Sequence, residues 1–278
     1  GISTLGRMCP SMHLEAIEIR NFYLSPQGRI VRQLLGTRIR DIWPDLRGER
    51  VLGLGHATPF LRPLKEDAER VMGFMLAQHG VFAWPPEGPS ATALVVDDCL
   101  PLPDASVSRV LIVHALEATT APNTLLREVW RVLAPGGRVL VVVANRTGLW
   151  ARLETTPFGV GRPFTRGQIT RLVEDLSFTP SRVEHALFVP PSTTRSVLGS
   201  ARGWDRMGAR FWPKLAGVVL VDAEKRMTQP IVSGRKRRVP VFAPALAPSP
   251  TAGARACLSD AAGTPPVRRK GSRTTTAR

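Results

Sequence analysis

Residues 125–144 read LLREVWRVLAPGGRVLVVVA, and this stretch decides the fold. Apolar residues recur at helical spacing in its first half, which predicts an amphipathic helix over residues 124–133. Pro135-Gly136-Gly137 ends this helix, because proline cannot continue it and glycine accepts positive φ angles. Residues 138–144 are almost wholly apolar, which is typical of a strand buried on both faces of a parallel sheet. The stretch therefore predicts a helix that turns back into a buried strand.

The rest of the chain alternates in the same way. Further strands are predicted at residues 50–55, 71–77, 93–96, 110–114, 183–189 and 215–221, and further helices at 26–42, 66–71, 165–176 and 195–211. Ser25 before Pro26 is typical of a helix N-cap followed by proline in the first turn. Strands that alternate with helices predict an α/β fold with a mostly parallel sheet covered on both faces.

Charge is distributed unevenly along the 278 residues, whose formal net charge is +16. Residues 231–278 contain ten basic residues and a single acid, Asp260, so they carry +9 of that charge. This segment has too few large apolar residues to offset the entropy of ordering, which predicts a disordered basic tail. The predicted organisation is an N-terminal leader at 1–24, a folded domain at 25–230 and the tail at 231–278.

The cysteines and the apolar runs exclude several classes of protein. Cys9, Cys99 and Cys257 are odd in number and far apart, so neither a disulfide framework nor a metal site is expected. Their use suits a reducing, cytoplasmic compartment. No apolar run reaches the roughly 18 to 20 residues of a membrane span.

Two segments carry a family resemblance. Residues 97–110, DDCLPLPDASVSRV, and residues 125–138 resemble the type 11 domain of class I S-adenosylmethionine-dependent methyltransferases. The resemblance implies a Rossmann-like sandwich with a seven-stranded sheet, S-adenosylmethionine as cofactor and methyl transfer as the reaction. It also implies that an acid after the third strand contacts the adenine amino group. Asp97 and Asp98 both remain candidates for that contact.

The loop after the first strand is an atypical version of the family's glycine motif. Residues 51–58, VLGLGHAT, resemble the acid-x-Gly-x-Gly-x-Gly pattern, but only Gly55 falls cleanly on it. Gly53 stands in the place of the acid, and Ala57 replaces a glycine. The resemblance implies that Gly53, Gly55, His56 and Ala57 contact the cofactor. We expect Gly55→Val to abolish cofactor binding and to leave the fold intact.

A nicotinamide-binding Rossmann domain is the nearest alternative fold. It requires Gly-x-Gly-x-x-Gly or Ala after the first strand and an acid near the end of the second. Residues 71–77 contain no acid, which argues against this alternative. The same absence leaves the cofactor ribose of a methyltransferase without its usual carboxylate. Glu87, in a proline-rich loop, could fold back toward it.

Other candidate residues follow the fourth and fifth strands. His114 could contact the cofactor and remove a proton from the acceptor, or it could simply pack beside the cofactor. Asn145, Arg146 and Trp150 could shape an acceptor pocket for an aromatic or anionic group. Residues 156–164 are rich in glycine and aromatic residues, as a mobile active-site lid would be.

Three functions remain open at this point. The first is transfer of a methyl group to a small-molecule acceptor. The second is a catalytically inactive, methyltransferase-like binding or regulatory protein, which the eroded glycine motif favours. The third is a nucleic-acid methyltransferase tethered by its basic tail, through clusters such as residues 235–238. We expect a monomer or a homodimer.

Overall fold

A computed structural model describes residues 16–227, apart from His79, Thr193, Pro213 and Lys214. The helices are α1 (Ala16–Leu24), α2 (Pro26–Ile42), α3 (Thr58–Leu61), α4 (Pro122–Val132), α5 (Arg166–Asp175), α6 (Arg195–Gly199) and α7 (Ala201–Phe211), with short 3-10 helices at Arg62–Leu64 and Trp150–Arg152. The strands are β1 (Arg50–Gly55), β2 (Arg70–Leu76), β3 (Thr92–Val95), β4 (Val107–Val113), β5 (Leu133–Ala144), β6 (Phe178–Ala186) and β7 (Val218–Lys225). The predicted tail at 231–278 lies outside the described residues.

The seven strands form one sheet in the order β3-β2-β1-β4-β5-β7-β6. The five strands from β3 to β5 run parallel, and β7 pairs antiparallel with both β5 and β6. The predicted mostly parallel, seven-stranded sheet is therefore confirmed. The carboxyl ends of β1 and β4 are adjacent at one edge, which is where open α/β sheets bind ligands.

Helices cover both faces of the sheet, as strand β5 demonstrates. Leu140, Val142 and Ala144 point into one core, which contains apolar residues of α1, α2 and α3. Val139, Val141 and Val143 point into the other, which contains apolar residues of α4 and α5. Successive side chains of a strand face opposite sides, so an apolar run can fill two cores at once. The continuous apolar sequence of β5 is thus explained by burial on both sides.

The segment around α4 is braced by charged hydrogen bonds. Glu128 accepts a hydrogen bond from the Leu100 N–H at 3.0 Å and pairs with Arg131 at 2.8 Å. Arg131 also donates to the carbonyl oxygens of Leu100 and Leu102 at 2.9 and 2.8 Å. These contacts hold the turn after β3 against α4, so the two segments that carry the resemblance are joined in space.

The predicted N-cap of α2 is confirmed, and α5 is capped as well. Helix α2 begins at Pro26, and the Ser25 side chain accepts a hydrogen bond from the Gly28 N–H at 3.0 Å. Thr165 and Gln168 form a reciprocal capping box at the start of α5. Each cap satisfies backbone donors that a helix start leaves without partners.

Two predictions near the N-terminal half were wrong. Residues 66–71 are not helical: the short helices are α3 and Arg62–Leu64, and Val71 pairs with Val51 in the sheet. The leader prediction fails for residues 16–24, which form α1 with Ile19 and Tyr23 in the core. Pairing of Val71 in the sheet excludes a helix there, and packing of Ile19 and Tyr23 into the core orders residues 16–24.

A buried carboxylate ties the sheet to α2. Asp222 on β7 is fully buried, accepts a hydrogen bond from Trp43 Nε1 at 3.1 Å and forms an ion pair with Arg138. Glu224, two residues along the same strand, pairs with Arg226 near the surface at 3.0 Å.

Among the described residues, no helix combines the length and apolar character that a bilayer crossing requires.

Asp222→Ala should destabilise the domain by about 3 kcal/mol, because the buried indole N–H and the Arg138 guanidinium would lose their acceptor. The matched change Glu224→Ala should cost less than about 1 kcal/mol, since its ion pair is partly exposed. Urea unfolding followed by fluorescence measures both. Equal, small losses for the two variants would contradict this account of Asp222.

Candidate active site

The carboxyl ends of β1 and β4 approach each other closely at Gly55. Its φ is +77°, and a Cβ added there would lie 2.5 Å from the Val113 carbonyl oxygen and 2.7 Å from the Ala115 Cβ. The next residue, His56, donates its backbone N–H to the same carbonyl oxygen at 2.8 Å. Only glycine fits this site, so the expectation that Gly55→Val leaves the fold intact is wrong.

Three side chains from distant parts of the chain meet beside this loop. Tyr23 of α1 lies with its hydroxyl 2.8 Å from Nε2 of His114, at the end of β4. The Tyr23 ring also stacks on His56, with 5.8 Å between centroids. His114 has a φ of +53°, a strained angle of the kind that clusters at functional sites. All three side chains are buried.

Next to this cluster lies a cavity of about 320 Å³, within the range of roughly 300–1,000 Å³ for ligand pockets. Tyr23, His56, Phe82 and Trp84 are among the side chains that line it. Its wall also includes three cations: Arg20, Arg32 and Arg62. An aromatic interior with guanidinium groups at the wall suits a ligand that has both an apolar part and a negative charge.

A buried acid follows His114. The Glu117 Oε1 atom accepts a hydrogen bond from the Ala144 N–H at 2.7 Å, whereas Oε2 is buried and lacks a hydrogen-bond partner among the described residues. Burial raises the pKa of this carboxyl to about 7, against the opposing effect of backbone hydrogen bonds from Ala144 and Glu117 itself. Burial, together with the Glu117 charge, also raises the pKa of Tyr23 well above its ordinary value.

The structure separates the two candidate adenine contacts. Asp97 is half-buried, and its carboxylate accepts a hydrogen bond from the Thr119 hydroxyl in the loop after β4. Asp98 is exposed. Asp97 therefore has a fixed carboxylate at the edge of the sheet, which makes it the better placed of the two.

The three residues predicted for an acceptor pocket have different surroundings. The Asn145 side chain donates to the Ala216 carbonyl oxygen at 2.8 Å, and Trp150 Nε1 donates to that of Val189 at 2.7 Å. Both side chains are buried. Arg146 is exposed and lines a groove beside α5. Asn145 and Trp150 thus hold the end of β5 in place. Of the three side chains, Arg146 is the exposed one that a ligand can reach.

Residues 156–164, predicted as a mobile lid, are docked onto the end of the sheet. Phe158 is buried against His114, with 4.8 Å between ring centroids. Arg162 N–H donates to the Glu117 carbonyl oxygen at 2.8 Å, and Phe164 N–H donates to that of Ala144 at 3.0 Å. Residues 156–164 therefore cover the carboxyl edge of the sheet at the ends of β4 and β5.

Comparisons with known proteins agree with this geometry. Residues 52–141 match a family model described as a methyltransferase domain. A methyltransferase structure from Thermotoga maritima, described as a possible histamine N-methyltransferase, has 19% identity and a TM-score of 0.53, over 76% of this chain and 95% of that one. One from Archaeoglobus fulgidus has 18% identity and a TM-score of 0.51, over 70% and 94%. Residues 52–141 are thus similar to a methyltransferase domain, and the fold is that of class I S-adenosylmethionine-dependent methyltransferases. No curated protein sequence matches the chain.

The residues at this edge of the sheet fit S-adenosylmethionine at most points. The sharp turn at Gly55, the aromatic cavity and the fixed carboxylate of Asp97 suit its methionine and adenine parts. Gly53 packs closely against α3, since a Cβ there would lie 2.6 Å from the Leu61 side chain. At the end of β2, where the family has an acid, the exposed residue is Gln78.

Glu87, the acid expected to fold back, lies beside a residue of the cavity wall. Glu87 does fold back, and its carboxylate lies 3.4 Å from Arg62, one of the lining residues. Both side chains are exposed, so the pair can separate at little cost. The Glu87 carboxylate thus lies close to this wall of the cavity.

Sequence reasoning missed Tyr23. It lies 91 residues from His114 and within the segment expected to be a leader. The available signal was the pattern of α1, in which Ile19 and Tyr23 are separated by four residues and share one face. That pattern in a short segment identifies a packed helix only weakly.

Replacement of glycine separates strain from close packing. Gly48 has a φ of +75° with nothing within 4 Å of its added Cβ, so Gly48→Ala should cost about 1 kcal/mol from backbone strain alone. Gly55→Ala adds a backbone clash and should cost about 3 kcal/mol or more. Urea unfolding of both variants tests this, and equal losses would show that β1 and β4 are not so close.

The Glu117 carboxyl should make stability depend on pH. It binds its proton more tightly in the folded state than in the unfolded chain, where the pKa is near 4.5. Its contribution is therefore full below about pH 4.5 and decreases as the pH rises to and through about 7, by about 3 kcal/mol in total. Glu117→Gln should remove this decrease, whereas Glu174→Gln on the exposed face of α5 should keep it. Unfolding curves between pH 4 and 8 that coincide for all three proteins would contradict the prediction.

Proposed function

We propose that the protein is an S-adenosylmethionine-dependent methyltransferase, and that it transfers the methyl group to a small-molecule acceptor at the carboxyl edge of β1 and β4. The observation that carries the proposal is the hydrogen bond of 2.8 Å between Tyr23 and His114, buried beside the cofactor loop. A tyrosine and a histidine in contact can move a proton, and the cavity beside them is small. Both features suit a small acceptor with an oxygen or nitrogen nucleophile.

The cofactor would be held by the loop and the edge of the sheet. Gly55, His56 and Ala57 would contact its methionine part, and Gly53 would keep the loop close to α3. Asp97 would accept a hydrogen bond from the adenine amino group, with Asp98 as the alternative. When bound, S-adenosylmethionine supplies a methyl group that its sulfonium has already activated, so the protein need mainly orient the acceptor.

The proton of the acceptor has a defined route in this proposal. The raised pKa keeps the Tyr23 hydroxyl protonated, so it donates to Nε2 of a neutral His114. As the acceptor oxygen or nitrogen attacks the methyl group, its proton passes to the Tyr23 oxygen while the Tyr23 proton passes to Nε2. His114 thus serves as the base through Tyr23, and no net charge is left on the tyrosine.

Arg146 would bind the acceptor, whereas Asn145 and Trp150 would hold the backbone from which it projects. The wide spacing of the cysteines favours a cytoplasmic location, and a monomer or homodimer stays a prediction. The inactive alternative is favoured by Ala57 and by Gln78 at the end of β2. Tethering to nucleic acid depends on the tail, which lies outside the described residues.

Calorimetry of the full chain with S-adenosylmethionine and S-adenosylhomocysteine tests the proposal. Binding of both ligands in the micromolar range is expected. Absence of binding at millimolar ligand would overturn the proposal and leave the inactive protein as the better reading.

The same titrations distinguish the two acids. Asp97→Ala should weaken binding of S-adenosylhomocysteine about tenfold, the effect of one hydrogen bond to a charged acceptor. Asp98→Ala, the matched change on an exposed neighbour, should alter it by less than about twofold. The reverse order would assign the adenine contact to Asp98.

A further inference from the structure

A second opening lies beside α5 and residues 156–164, which we call the docked segment. It is a groove of about 900 Å³, at the upper end of the roughly 300–1,000 Å³ of ligand pockets. We call it the arginine groove, after Arg146, Arg162 and Arg171, which line it together with Thr119 and Phe164. It shares no lining residue with the cavity beside Tyr23.

The charge of the arginine groove is strongly unbalanced. Its three arginines come from three places: the loop after β5, the docked segment and α5. Asp175 is the single acid in the wall. Within the part of the chain that the structure describes, none of the three arginines forms an ion pair. Cations held in one groove repel one another, and an anion between them relieves that repulsion.

Hydrogen bonds hold the backbone of two of these arginines in place. Arg146 N–H donates to the Phe164 carbonyl oxygen at 3.0 Å, and Arg162 N–H donates to that of Glu117 at 2.8 Å. Gly161 has a φ of +86°, and a Cβ there would lie 2.5 Å from the same Glu117 oxygen. The docked segment can therefore approach the loop after β4 only through glycine. Such prior fixing of the chain reduces the entropy lost when a ligand binds.

The arginine groove adjoins the cofactor side of the domain. Thr119 lines it and donates its hydroxyl to Asp97, the favoured adenine contact. Its wall also has an apolar part, made of Leu116, Phe164 and Leu172. A ligand in the groove would thus meet guanidinium groups and an apolar surface together.

We propose that the arginine groove binds the acidic group of the methyl acceptor, a carboxylate or a phosphate attached to an apolar body. Guanidinium groups match the geometry of both anions, because their paired N–H donors can bind two oxygens at once. This inference rests on the proposed function for the identity of the ligand as acceptor. The dimensions of the groove favour a small molecule over a nucleic acid.

Anion binding tests the proposal without knowledge of the acceptor. The full chain is titrated at low salt with pyrophosphate, as the phosphate probe, and with citrate, as the carboxylate probe. The test variant is Arg146→Ala with Arg171→Ala. Its matched control is Arg127→Ala with Arg206→Ala, which removes the same charge from exposed positions outside the groove.

The groove variant should lose at least about tenfold in affinity for one probe or both, and the control less than about twofold. The probe that loses more identifies the acidic group. Equal losses in both variants, or none, would overturn the proposal, since anions would then bind by overall charge alone. A single-stranded oligonucleotide is titrated in the same way. If the groove variant loses affinity for the oligonucleotide alone, the proposal is also overturned, because the arginines would then bind nucleic acid.

Binding of S-adenosylhomocysteine, measured on the same proteins, separates this inference from the proposed function. Retained cofactor binding with lost anion binding supports both. If the unaltered chain binds no cofactor, the proposed function fails while the anion titrations still decide whether the groove is a site. Thermal unfolding of each variant checks that all are equally folded.

Discussion

The close approach of β1 and β4 at Gly55 is the constraint on which the site depends. Because the backbone of Gly55 lies against the Val113 carbonyl, the loops after the two strands leave the sheet at the same level. His56 and His114 are then brought within about 6 Å of one tyrosine ring, measured between centroids. Tyr23 can occupy that position only if α1 packs across the edge. The arrangement of the N-terminal helix and the chemistry of the site therefore have one common cause.

How far the sequence predicts this protein differs from one element to the next. Helix α2 and its Ser25 cap follow from local signals, and β5 follows from its apolar run, so both were predictable. Helix α1 has nine residues and depends on tertiary packing, which periodicity alone does not reveal. The contact between Tyr23 and His114 spans 91 residues, and no local pattern reports it. The raised pKa of Glu117 likewise depends on burial that only the folded chain shows.

The residues that carry the family resemblance are mostly those that hold the scaffold together. Glu128 and Arg131 brace the turn after β3, and only Asp97 and its alternative Asp98 are proposed from these segments to contact a ligand. The side chains proposed for chemistry and acceptor recognition, such as Tyr23 and Arg171, lie outside the two segments. A fold can be recognised from its frame while its ligands are set by residues added around it. This is why the resemblance to methyltransferases could be read from the sequence and the acceptor could not.

The two openings of the domain have a consequence for how a transfer reaction would proceed. The cavity beside Tyr23 and the arginine groove share no lining residue, and residues of the docked segment line only the groove. Two ligands that entered by separate openings would not have to leave in a fixed order, and each could be held by its own charges. Methyl transfer requires the nucleophile and the leaving sulfur to lie on opposite sides of the methyl group. Ligands that approach through separate openings meet that requirement more readily than ligands that share one pocket. The arginines in the walls of both openings would favour an anionic acceptor over a cationic one.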